Sequence, residues 1–237
     1  MPDISYPVGD GSAQGYLAVP SNGSAEPGPW AGVVVIHEAF GLNADIRQKA
    51  DQFAARGYLA LAPDLFDGRS WIRCVLGAFR QIQARSGPAF TALEAARSFL
   101  AARADCTGKT GVIGFCMGGA FALLCAPRPG FAAASVNYGV VPGDPQTVLQ
   151  GACPIVASYG KRDFMGSRPP ERLERALTAL QVSHDVKVYP DSGHRFLTES
   201  SGSGAVLARF ARMSYHKTDA DDAWRRIFAF FGEHLAG

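Results

Sequence analysis

Four side chains have the types and positions that acyl-transfer chemistry needs: Glu38, Cys116, Asp163 and His194. Cys116 lies in Gly114-Phe115-Cys116-Met117-Gly118-Gly119, after a short apolar run and before an alanine-rich apolar segment. This is the strand–turn–helix layout of a nucleophile elbow, with cysteine where serine usually stands. Such a turn is sharp, and it holds the nucleophile in a strained backbone conformation. Small residues at Gly114 and Gly118 let strand and helix approach closely. The N-terminus of the following helix would point at the sulfur and favour a negative charge there. The simpler alternative is a buried structural cysteine in a glycine-rich turn.

A cysteine nucleophile needs a base, an orienting acid and oxyanion donors. His194 is the expected base, and Asp163 would fix its tautomer and stabilise its positive charge. Asp191 competes as the acid, although it shares a loop with His194. Read singly, Asp163 is equally a surface turn residue and His194 a loop histidine. The Met117 N–H, first in the helix after the nucleophile, is one expected oxyanion donor. The Ala39 N–H, in the loop after a buried strand, is the other. Glu38 should lie near Cys116, where a carboxylate accepts a thiol proton or repels a thiolate; the alternative is a loop acid capping the next helix. His37 beside it makes no metal signature, because no third ligand stands at a suitable distance. No metal and no cofactor is expected.

These residues need a scaffold that ends its strands on one side. Residues 3–20 read as a β-hairpin turning at Asp10-Gly11. Buried strands are expected at 31–36, 58–62, 112–115, 132–138, 154–159 and 185–189. Helices are expected from Asn43 as N-cap to Arg56, then over 89–104, after Cys116 to Cys125, up to Leu180, and from Asp219 or Asp221 to His234. Residues 67–87 should form a helix or two over the top of the sheet. The alternation predicts one α/β domain across 1–237, with a mostly parallel sheet of about eight strands and helices on both faces. Ligand sites in such sheets lie at the carboxyl ends of strands, where Glu38, Cys116, Asp163 and His194 all fall.

Composition narrows the function further. Net charge is +2, with no dense basic run, which argues against a nucleic-acid partner. Gly108-Lys109-Thr110 resembles the end of a phosphate-binding loop, but Arg103 stands where the earlier glycine belongs and the triplet precedes a strand. No apolar run reaches membrane-spanning length, so no membrane partner is expected. The five cysteines are odd in number and form no CxxC pair, and the N-terminus lacks a signal-peptide pattern. A cytoplasmic location is the expectation.

Five stretches together resemble the dienelactone hydrolase family of the α/β-hydrolase superfamily, which includes carboxymethylenebutenolidase. They are Val34-Val35-Ile36-His37-Glu38-Ala39-Phe40-Gly41-Leu42-Asn43, Ala62-Pro63-Asp64-Leu65-Phe66, the elbow itself, Tyr159-Gly160-Lys161-Arg162-Asp163, and Tyr189-Pro190-Asp191-Ser192-Gly193-His194-Arg195-Phe196. The resemblance implies Cys116 as nucleophile, Asp163 and His194 as partners, Glu38 as a hydrogen-bonding switch for the thiol, and a monomer. It implies a small-molecule lactone or activated enol ester as substrate, opened through a thioester on Cys116. A broader carboxylesterase or thioesterase is the alternative, as is a scaffold that binds a small ligand without turnover. The family holds a substrate carboxylate with arginines, one of them a few residues past the histidine. Thr198 stands near that place here. Arg69, Arg73 and Arg80 are the expected substitutes, with Arg195, Arg209 and Arg212 also near in sequence, and Phe40, Trp71 and Tyr138 are expected in the pocket wall.

Overall fold

The computed structural model describes residues 3–20, 28–66, 71–163, 170–199 and 215–236, with nothing described of the Trp71 side chain. Its strands are β1 (Asp3–Val8), β2 (Gly11–Ala18), β3 (Trp30–Ile36), β4 (Tyr58–Pro63), β5 (Cys106–Phe115), β6 (Phe131–Asn137), β7 (Ile155–Gly160) and β8 (His184–Tyr189). The helices are α1 (Ala44–Ala54), α2 (Trp71–Ala84), α3 (Pro88–Ala101), α4 (Met117–Cys125), α5 (Pro145–Val148), α6 (Glu171–Ala179) and α7 (Lys217–Leu235). One eight-stranded sheet has the order β1-β2-β4-β3-β5-β6-β7-β8. The β1–β2 and β2–β4 pairings are antiparallel, and the others are parallel. This is the α/β architecture expected from the sequence.

The solid apolar runs have a direct cause. Alternate residues of a strand face opposite sides, and both sides of this sheet are covered. Val34 and Ile36 of β3 pack into a core with Phe90, Leu93 and Phe121, under α3 and α4. Val33 and Val35 pack into the other core, with Phe53 of α1 and Ile227 and Phe231 of α7. A strand buried on both faces cannot alternate apolar with polar.

Several boundaries differ from the sequence reading, three of them for a visible reason. The hairpin turns at Gly9-Asp10, since Val8 pairs with Gly11. Gly9 has a φ of 56°, and glycine is the natural residue at the first position of such a loop. Strand β5 begins at Cys106, because Thr110 already pairs with Gly32 and Phe131 before the apolar run starts. Helix α7 begins at Lys217, since the His216 side chain accepts a hydrogen bond from the Asp219 N–H and caps it.

Candidate active site

Cys116 stands between β5 and α4 with φ 54° and ψ −114°, a region L side chains seldom adopt. Glycines make that turn possible. A Cβ on Gly114 would lie 1.9 Å from the Gly118 carbonyl oxygen, and one on Gly118 would lie 2.4 Å from that of Ile36. Both clashes are with backbone, which cannot swing aside. The elbow is therefore pressed against the end of β3, from which Glu38 and Ala39 follow. From the other side, the Cys116 N–H donates to the Asn137 carbonyl at 3.0 Å. The Asn137 amide donates to the Gly114 carbonyl at 3.1 Å.

His194 arrives on the loop after β8. Its Nδ1 lies 2.7 Å from Asp163 Oδ2, with both side chains 4% exposed. The backbone assembles this pair. The Lys161 N–H donates to the Tyr189 carbonyl, the Arg162 N–H donates to the Ser192 carbonyl, and a Cβ on Gly160 would lie 2.5 Å from that Ser192 oxygen. The loops leaving β7 and β8 thus run against each other. Asp191, the competing acid, is exposed and pairs with Arg162 at 2.6 Å. Burial by itself would lower the His194 pKa. The Asp163 hydrogen bond and the neighbouring Cys116 sulfur outweigh it and raise the group to about 10. His194 Nε2 is buried without a hydrogen bond of regular geometry, yet the Cys116 sulfur is near enough to raise the imidazole by hydrogen bonding as well as by charge.

Glu38 is 1% exposed and sits in a ring of donors. Tyr138 Oη donates to its Oε1 at 3.2 Å, Thr198 Oγ1 donates to the same oxygen at 3.3 Å, and Arg195 Nε donates to Oε2 at 2.6 Å. Among the described residues, no hydrogen bond joins Glu38 to Cys116. Tyr138 links the two halves of the site, because its ring also meets His194 edge-on at 5.0 Å. Burial first, then the Glu38 charge, hold the Tyr138 pKa well above the usual phenol range, so Tyr138 remains a neutral donor. Behind Thr198 lies Lys49 of α1, whose side chain is 3% exposed; it pairs with Asp45 and donates to Thr198 Oγ1 at 3.3 Å. Burial lowers the Lys49 pKa, and Asp45 partly restores it.

His37 has a structural task. Its Nε2 accepts the Leu65 N–H at 3.1 Å, which leaves Nδ1–H to donate to the Glu38 carbonyl at 2.6 Å. Burial lowers its pKa, which suits the neutral ring this pattern requires. A neutral imidazole thereby fixes the chain that carries Glu38 and Ala39. Met117 opens α4, so its N–H is one of the helix's unpaired leading donors.

The remaining expectations divide. Phe40 is half exposed, with the Arg195 guanidinium stacked over its ring at 4.9 Å. Tyr138 lies beneath the site and is fully buried, rather than in an open wall. Arg73 and Arg80 are exposed on α2, and no described ion pair or hydrogen bond joins them to Glu38, Cys116 or His194. Arg69, Arg209 and Arg212 lie outside the described residues, as does the Trp71 side chain. Among the described residues, the arginine that reaches the site is Arg195, adjacent to the histidine. The sequence signal was that adjacency; Thr198 and Lys49 gave none, because a threonine in a loop and a lysine in a helix are ordinary. Among the described residues, no cluster of His, Cys, Asp and Glu is fit to hold a metal ion. No helix there is long and apolar enough to cross a membrane.

Comparison with known proteins gives a consistent picture. The model of the dienelactone hydrolase family matches residues 13–235. A Yersinia pestis protein named "Putative carboxymethylenebutenolidase" is 28% identical over 250 residues, spanning 93% of this chain and 88% of its own. An Escherichia coli K12 protein of the same name is 28% identical over 255 residues, spanning 95% and 89%. A crystal structure described as a "Putative Dienelactone Hydrolase" from Klebsiella pneumoniae superposes with a TM-score of 0.78 at 26% identity, covering 98% of both chains. A family model that spans nearly the whole chain, on a sheet whose strand ends gather the elbow, the acid and the histidine, makes this chain a member of the dienelactone hydrolase family.

Proposed function

We propose that the protein hydrolyses a lactone or activated enol ester of the dienelactone type, with Cys116 as nucleophile. One observation carries the reading. Cys116 occupies a strained elbow beside an imidazole that is bonded to a buried acid at 2.7 Å and whose other nitrogen neighbours the sulfur. A nitrogen beside the sulfur can exchange a proton with it or with water, which supports this reading. The relatives' name points to the same substrate class.

In this mechanism Glu38 accepts the Cys116 proton as substrate enters, and the thiolate moves under the influence of His194. Sulfur attacks the carbonyl carbon, and the carbonyl π electrons move to oxygen, which the Met117 and Ala39 N–H groups stabilise. Collapse breaks the ring C–O bond and releases an enolate, leaving a thioester on Cys116. Water gives a proton to the enolate or to His194 and attacks the thioester; the C–S bond breaks, the acid product leaves, and the Cys116 thiolate takes back the proton that Glu38 accepted. A thiolate is itself a good leaving group, so attack is productive only when the substrate oxygen leaves at least as readily. Enol esters and enol lactones meet that condition, and alkyl esters do not.

Arg195 supports a substrate bearing a carboxylate. A second carboxylate entering over Phe40 would compete with Glu38 for the guanidinium and free Glu38 toward the sulfur. The test compares wild type with Cys116→Ala on a dienelactone, p-nitrophenyl acetate and an acyl thioester. The variant should lose at least about a thousandfold in rate, with the dienelactone turned over fastest by wild type. Unchanged turnover in the variant removes Cys116 from the mechanism. A preference for the thioester transfers the reading to a thioesterase.

A further inference from the structure

We propose that Lys49 is a positioning residue for Glu38, acting through the Thr198 hydroxyl, and so controls how Glu38 engages Cys116. The inference rests on the reading of Glu38 as acceptor of the thiol proton.

Lys49 is out of character for its helix. The other buried residues of α1 are Ile46, Ala50, Phe53 and Ala54, an apolar stripe facing the sheet. An ammonium placed among them costs desolvation energy and persists only with partners. The partners are Asp45, one helical turn before it, and Thr198, on the loop that also carries His194 and Arg195. The ammonium lies over the ring of Phe115, the residue that precedes the nucleophile, at 4.9 Å.

Hydrogen-bond direction gives this contact its consequence. A lysine ammonium only donates, so Thr198 Oγ1 must accept from Lys49. The single hydroxyl hydrogen of Thr198 is then left for an acceptor on its other side. Glu38 Oε1 is that acceptor at 3.3 Å, while Tyr138, at 3.5 Å from Thr198, already donates to Glu38. Lys49 thus turns a freely rotating hydroxyl into an oriented donor aimed at Glu38. A lysine that merely tied Asp45 to the helix would need neither Thr198 nor a place under Glu38.

The test is a double-mutant cycle between Lys49 and Glu38. Its first readout is the rate at which iodoacetamide alkylates Cys116 in substrate-free protein, followed by the mass of the Cys116 peptide. Its second is the acylation burst on p-nitrophenyl acetate. Lys49→Met should shift the alkylation rate by about tenfold, in the direction that Glu38→Gln shifts it, and by less than about twofold in the Glu38→Gln background. An equal factor in both backgrounds, or no shift in the first, overturns the inference. Because Lys49→Met strands the Asp45 carboxylate, Asp45→Asn/Lys49→Met repeats the cycle without it. Thr198→Val removes the relay alone, and adding Lys49→Met to it should change nothing further. Coupled alkylation without a burst on any activated ester or lactone sustains the Lys49 role and overturns the hydrolase reading. A burst without coupling does the reverse.

Discussion

The two carboxylates at the site are delivered by different parts of the fold. Asp163 meets His194 because β7 and β8 are neighbouring parallel strands whose exit loops exchange backbone hydrogen bonds. Glu38 leaves β3 and takes its partners by side chain alone, from Tyr138 after β6 and from Arg195 and Thr198 after β8, with Lys49 behind. Backbone hydrogen bonds hold the segment that carries Asp163 against the loop that carries His194. A carboxylate held by side-chain donors can exchange them at modest cost, since each net hydrogen bond is worth about 1 kcal/mol, rising to about 3 kcal/mol for a charged one. In the proposed mechanism, orienting a base calls for the first arrangement and accepting a thiol proton calls for the second.

The largest effect that probes this contrast is on Asp163. Asp163→Asn should slow ester turnover by a factor on the order of 10³–10⁴, as removal of a histidine's orienting acid does. Glu38→Gln should cost less, on the order of 10–100 in the acylation burst, with deacylation nearly unchanged. A Glu38→Gln loss larger than that of Asp163→Asn would break the contrast, because the carboxylate held by side chains would then be the indispensable one.

A smaller effect concerns stability and pH. His194 stands at about 10 in the fold against 6.5 for the free group. A raised histidine stabilises the fold while protonated; its contribution is complete below pH 6.5 and is lost as pH climbs through 10. Asp163→Asn removes the first of the raising causes. The difference in urea midpoint between wild type and Asp163→Asn should therefore narrow from pH 6 to pH 10.5. A constant difference would detach Asp163 from the proton on His194.

The smallest effect is on the elbow. At φ 54° and ψ −114° a glycine is unstrained and an alanine is not. Cys116→Gly should therefore exceed Cys116→Ala in stability by about 1 kcal/mol, or about 2–4 °C in melting temperature. Equal melting temperatures would mean that the positive φ stores no strain.

Much of this was legible in the chain. The elbow, the order of cysteine, acid and histidine, and the strand alternation are local patterns, and each meets a local requirement: no Cβ at Gly114, apolar residues on both sides of β3, a sharp turn after a strand. The expectations that left the described structure uncommitted concerned arginines. Arg73 and Arg80 fall on the exposed side of α2, whereas Arg195, one residue past the histidine, folds back onto Glu38 at 2.6 Å. An arginine's reach exceeds the precision with which a sequence places its backbone, so proximity in the chain could not choose among them. Lys49 illustrates the same limit, because its position on α1 says inward while its residue type says outward.

By itself the sequence determined the strands, the helices and the ends at which chemistry can gather, since periodicity and glycine sterics act over a few residues. Tertiary structure alone decided that Asp191 turns away to Arg162, that His37 is a strut, and that Glu38 is enclosed by Tyr138, Arg195 and Thr198. Those outcomes depend on directions and distances of a few ångströms between segments far apart in the chain. Hydrogen bonds and ion pairs are selected at that scale, and a linear order of residues does not contain it.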